Sequence, residues 1–138
     1  MSLLKKLQIG DNNSGRYTKE YLLVDYKCYT FRRHNEYRPD TEKYCDKIEL
    51  TVIAPGKEDM MLYEWFVEQS FLSGRILIEL SPLSSQTAGE VRSILFEEGT
   101  CFSFEEDYHI GVNQRRMLKL SFVAEEVNID GVIFVRHL

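Results

Sequence analysis

Three histidines, His34, His109 and His137, are the side chains best able to ligate a metal or move a proton near neutral pH. A metal site needs several donors converging on one face at short spacing, and none of the three has such a neighbour. Asp107 and His109 stand two apart, so on an extended strand they share a side, as an oriented imidazole would require. Neither a serine nor a cysteine can be assigned to this pair as nucleophile, which leaves local hydrogen bonding as its expected role. The acidic pairs Glu97-Glu98, Glu105-Glu106 and Glu125-Glu126 invite a hydrolase reading. Adjacent strand residues point to opposite faces, however, so the two carboxylates of such a pair cannot work together, and solvated faces or subunit salt bridges are expected. The sequence holds no Gly-x-x-x-x-Gly-Lys, Gly-x-Gly-x-x-Gly or Gly-x-Ser-x-Gly. No catalytic residue, metal ligand or cofactor-binding residue is therefore assigned.

Cysteine chemistry is equally sparse. Cys28, Cys45 and Cys101 are odd in number and lack Cys-x-x-Cys spacing, which argues against a disulfide framework or a zinc site and for reduced, mostly buried thiols. With 17 basic and 22 acidic side chains the formal net charge is -5, the wrong sign for a phosphate-binding surface, so nucleic acid is not expected as a partner. The short basic clusters Lys5-Lys6, Arg32-Arg33-His34 and Arg115-Arg116 fit solvated edges or subunit contacts. Met1 to Leu7 lacks the apolar run of a secretory signal, and no later stretch could span a bilayer. Cytoplasmic synthesis without membrane insertion is expected, with later export by a machine that needs no cleavable signal left open.

The 138 residues fit one domain, 1–138, able to bury a core without staples. Leu3 to Ile9 reads as a short strand ending in the turn cluster Gly10 to Gly15. Arg16 to Arg33 reads as one long strand with Leu22, Val24, Tyr26 and Cys28 on one face. Tyr29 and Phe31 then change the phase, so a bend or bulge is expected. His34 to Lys43 is an exposed loop. Ile48, Leu50, Val52 and Ala54 mark a half-buried strand that ends at Pro55-Gly56. Asp59 to Leu72 is the one persuasive helix: Asp59 caps it, Leu62, Trp65, Phe66, Gln69 and Leu72 recur at helical spacing, and Ser73-Gly74 ends it. Ile76, Ile78 and Leu80 give a further strand. Val91 to Tyr108 reads as one long irregular strand with a break near Gly99. Gly111 to Gln114 and Asp130-Gly131 supply hairpin turns on either side of a strand with Leu118, Leu120, Phe122 and Ala124 inward. The expected fold is mainly β: a barrel or sandwich of about seven antiparallel strands with one packed helix.

Several strings, taken in order, carry a family likeness. "MSLLKKL" opens the chain, a long strand follows from Tyr21 to Phe31, and Arg38-Pro39 lies in the next loop. "KIELTV" then leads through a turn to "LYEWF" with its Glu-Trp pair, Gly74-Arg75-Ile76 follows, and "LFEEGTCFSFEEDY" and "MLKLSFVAEEVNI" close the series. In this arrangement the chain resembles the haemolysin-coregulated protein family (Hcp, also TssD), the tube subunits of bacterial type VI secretion, in a divergent branch. It departs in a longer turn from Gly10 to Lys19, in Tyr44-Cys45-Asp46 where a glycine-rich approach is expected, and in the polar stretch Ser84 to Gly89.

The resemblance implies a non-enzymatic subunit that forms hexameric rings, stacked into a tube that sheath contraction expels. Its partners would be further copies of itself and the type VI sheath, spike and effector proteins, with effectors carried in the lumen. Asn35, Glu36, Tyr37, Arg38, Pro39 and Asp40 are the expected ring-stacking loop, and Leu62, Trp65 and Phe66 the expected anchors of the helix on the barrel. Two other readings are weighed. A stand-alone barrel that binds a peptide or small ligand on an aromatic face predicts a monomer. A hydrolase built on Asp107, His109 and a glutamate pair lacks a nucleophile.

Overall fold

Alternation of apolar and polar side chains dominates this chain, and strands follow from it. The computed structural model describes residues 4–33, 42–81, 83, 89–111 and 115–137. Among these lie β1 (Lys5–Asp11), β2 (Arg16–Phe31), β3 (Tyr44–Ile53), α1 (Met61–Glu68), β4 (Leu72–Glu79), β5 (Val91–Tyr108), β6 (Arg116–Val123), β7 (Glu126–Ile129) and β8 (Val132–Arg136). One strand more than expected results because Val91 to the C-terminus gives four, the short β7 pairing with the first half of β5 while β6 pairs with the second.

The sheet order is β2-β1-β4-β5-β6-β3-β8-β7, with β2 also paired to β3. Six strands thus form a closed, barrel-like circuit, which leaves no free edge between β2 and β3. All pairings are antiparallel except a two-residue parallel contact of β3 with β8 at Tyr44↔Val135 and Cys45↔Arg136. The inward set includes Leu7, Ile9, Ile48, Leu50, Val52, Ile76, Ile94, Phe96, Leu118, Leu120 and Phe122, all buried. Trp65 stacks near Phe96 and packs against Phe122, with ring centroids at 6.4 and 5.1 Å, so aromatic rings fill the middle of the barrel.

Bulges decide which face each strand shows. In β2 the register slips between Leu23↔Val52 and Asp25↔Thr51, leaving Val24 unpaired. Tyr21 and Leu23 therefore point inward before the slip, and Tyr26 and Cys28 after it. Leu22 and Val24, expected to share one face with Tyr26 and Cys28, are instead exposed, Leu22 at 65%. Alternation alone could not locate the extra residue that resets the phase.

The helix is shorter than its spacing suggested. It stops at Glu68 because Gln69 takes the left-handed conformation, φ 52°. Leu72, Ser73 and Gly74, expected as its end, belong instead to β4, where Leu72 pairs with Gly99 and Gly74 with Phe96. Sheet hydrogen bonds on both sides of β4 outweigh helix propensity in that segment. Asp59 lies two residues before the helix and accepts a hydrogen bond from the Met61 amide, 3.2 Å, and one from the Tyr21 hydroxyl. With Lys19 3.4 Å from the same carboxylate, the start of α1 is tied to β2.

Candidate assembly surface

His109, His137 and the paired carboxylates are dispersed among the described residues, and His34 lies outside them. His109 lies 3.5 Å from Asp107, both about half exposed at the end of β5. His137 is edge-on to the rings of Phe31 and Tyr44, at 4.9 and 5.9 Å. Glu97 accepts a hydrogen bond from the Asn12 amide, Glu106 lies 3.0 Å from Arg116, and Glu125 pairs with Arg136 at 3.0 Å. One carboxylate of each pair is thus held by a different partner, and no group of three or more metal-ligating side chains occurs among the described residues. Burial pushes the Cys101 thiol up to about 11, which keeps it protonated and unreactive.

Two surfaces of contrasting character stand out among the described residues. On the outer face of β2, β3, β6 and β5, the register sets Lys27 beside Glu49, Asp25 beside Thr51, Thr51 beside Lys119, and Glu105 beside Lys119. These side chains surround a depression of about 240 Å³ that also takes in Ser103 and Ser121. Alternating signs across neighbouring strands make this face a solvated charge lattice with little net attraction for one class of ion.

The second surface is apolar and lies beside α1. Leu62 and Trp65 face the barrel, and the Trp65 indole N–H donates to the Gly99 carbonyl at 2.8 Å. Phe66, one position on, points sideways: it stacks on Phe104 at 6.0 Å and keeps 37% of its surface. Val67 is 73% exposed on the outer face of the helix. A register slip between Cys101 and Ser103 makes Phe102 the extra residue of β5 and turns it outward, 51% exposed. Phe66, Val67, Gln69, Thr100, Cys101 and Phe102 line one shallow cleft of about 600 Å³. Phe71, just beyond the helix, is 64% exposed as well. Scattered apolar side chains on a surface are ordinary; here aromatic and branched residues adjoin on one cleft.

Sequence reasoning placed Leu62, Trp65 and Phe66 together on α1 as anchors; Leu62 and Trp65 are buried, and Phe66 stacks on Phe104 of β5 while also bordering the cleft. Asn35, Glu36, Tyr37, Arg38, Pro39 and Asp40 lie outside the described residues. Two features went unread. Phe102 needed the bulge to become visible, and Asn12 looked like a turn former only. Its side-chain amide reaches the carbonyls of Gly74 and Phe96 at 2.9 and 3.1 Å, so the β1–β2 turn is bonded across the β4–β5 pair.

The family model "Hemolysin coregulated protein Hcp (TssD)" matches residues 1–137. Hcp1 from Flavobacterium johnsoniae superposes on 96% of this chain and 99% of its own, with 15% identity and a TM-score of 0.64. A mutant of Hcp1 from E. coli EAEC 042 pathovar aligns over 94% of each chain at 10% identity and a TM-score of 0.63. A chain from the six-fold-symmetrised baseplate of the anti-feeding prophage covers 96% of this one and 95% of its own, with 13% identity and a TM-score of 0.53. No curated protein matches the sequence. With a match spanning almost every residue and a closed eight-stranded sheet carrying one helix, the chain belongs to the Hcp (TssD) family of type VI secretion tube proteins.

Proposed function

We propose that this chain is a working inner-tube subunit: six copies close into a ring, rings stack, and sheath contraction expels the tube with the spike, effectors riding in the lumen. The family match over residues 1–137 carries the reading. Two features of the surface support it. An apolar cleft beside α1 offers area that association would remove from water, and the separate charge lattice gives a second, wettable face suited to a lumen or an outer wall. Two unlike faces favour a head-to-tail contact, which closes into a ring when the rotation per subunit divides a full turn. The segment 35–40 remains our candidate for ring-to-ring contact, and no step in this role needs a catalytic group.

The stand-alone binding module has less in its favour. Trp65, Phe96 and Phe122 fill the barrel's centre with 1% exposure or less, so the interior is packed and an aromatic binding face would have to lie on the outside, where Tyr29, Phe102 and Tyr108 are exposed. Size exclusion with light scattering, followed by negative-stain imaging of the same fraction, separates the two. A mass near six times the 16.2 kDa chain with ring-shaped particles is expected. A monodisperse monomer at high concentration would overturn ring assembly as an intrinsic property.

A further inference from the structure

The two thiols at the β2–β3 end of the barrel are in contact, Cys28 Sγ to Cys45 Sγ 3.7 Å. A bulge puts them there. Tyr29 pairs with Lys47 but Thr30 pairs with Cys45, so Asp46 is skipped. In uninterrupted register Cys45 would sit opposite Phe31 and face away from Cys28; the skip turns it to the same side. Both thiols are free, Cys45 buried and Cys28 half-buried. We propose that Cys28 and Cys45 are a redox dithiol that closes to a disulfide by exchange with a low-molecular-weight disulfide, stapling β2 to β3.

The environment assigns the order of events. The neighbouring Cys45 S–H, opposed by burial and aided by the Tyr26 hydroxyl, lowers the pKa of Cys28. Hydrogen bonding to Cys28, then burial, raises that of Cys45, whose thiol also lies 3.7 Å from the Lys47 carbonyl as a donor. Cys28, half-buried where Cys45 is buried, is the sulfur a small disulfide reaches first, so it is the attacking thiolate and Cys45 the resolving thiol. Cys28 Sγ attacks one sulfur of the small disulfide, its S–S bond breaks, and one thiolate leaves to take a proton from water. Cys45 then loses its proton to solvent and attacks Cys28 Sγ, which expels the second thiolate. The balance is two protein thiols oxidised and one small disulfide reduced to two thiols. The sulfurs must close from 3.7 Å to about 2.05 Å, a movement that starts from van der Waals contact. The staple would close the chain between positions 17 apart, a loop that includes segment 34–41.

The test uses the full chain and 4,4′-dithiodipyridine, a small aromatic disulfide whose reduction is read by absorbance. In native wild-type protein two pyridinethiones should be released promptly per chain, with no adduct left and a mass lower by two hydrogens. Peptide mapping should join Cys28 to Cys45, while Cys101 stays available to alkylation after denaturation. Cys45→Ser should release one thione and keep a pyridyl adduct on Cys28. Cys28→Ser should lose the fast phase, and Cys101→Ser should match wild type, with circular dichroism checking the fold of each. The oxidised wild type should melt roughly 5–10 °C higher than the reduced form. Native Cys28 and Cys45 that stay unreacted, or carry adducts without cross-linking, would overturn the dithiol. A disulfide that forms without raising the melting temperature would overturn its role as a staple. None of these readouts depends on ring formation.

Discussion

Glycines show most directly how tightly individual residues are fitted. A Cβ at Gly74 would lie 2.2 Å from the Gln8 carbonyl oxygen, so backbone atoms of β1 or β4 would have to move. At Gly99 the added carbon would meet the Leu72 carbonyl oxygen, Trp65 and Phe122 at 3.1 to 3.3 Å, so one backbone group and two buried rings would each have to give by only a few tenths of an ångström. Gly74→Ala is expected to cost roughly 2–3 kcal/mol, and Gly99→Ala about 1 kcal/mol or less, partly offset by the stiffer unfolded chain. Urea unfolding of both variants tests the order. Equal midpoints would mean that β1 and β4 are packed more loosely than their register implies.

Among the elements, the β7–β8 hairpin carries its own instructions. Asp130 and Gly131 both have positive φ, 49° and 96°, the turn that joins Ile129 to Val132 without splaying the strands. Asp130 also ties the turn to β5, its carboxylate accepting from the Ser93 amide at 2.9 Å and from Arg92 Nε at 3.0 Å. Replacing it removes tolerance of the left-handed region together with the bond to Ser93. Asp130→Ala should therefore cost about 1–2 kcal/mol, and Asp130→Asn well under half of that. Faster amide exchange at Ser93 in the alanine variant alone is the local signature. If both variants exchange alike, the carboxylate does not hold the turn.

For the molecule as a whole, the open question is what covers the cleft beside α1. Val67 and Phe102 contribute exposed surface there and little to the buried core, so charges at these positions should spare the monomer. Val67→Glu with Phe102→Glu is expected to change the unfolding free energy of the single chain by no more than about 0.5 kcal/mol, because neither site is a core, cap or buried-network position. Light scattering should show the assembled species reduced to single chains. Persistence of a six-chain mass would place the ring contact on another face and leave the cleft for a different partner.

How much was legible beforehand follows from what each signal measures. Alternating apolar residues were enough for all the strands but β7 and for the inward set Ile48, Leu50, Val52, Leu118, Leu120 and Phe122, because period-two burial is written along the chain. The Asp130-Gly131 turn was equally local. The absence of catalytic spacing and the family likeness also came from the residues alone. Tertiary structure alone decided where the chain changes phase. Bulges at Val24, Asp46 and Phe102 insert one residue against a neighbouring strand, and that neighbour is remote in sequence. Those insertions expose Leu22, turn Phe102 toward the cleft and bring Cys45 onto Cys28. The end of α1 at Glu68 had the same origin: Leu72 to Gly74 had to pair with partners on β1 and β5 that no helical period within the segment could reveal.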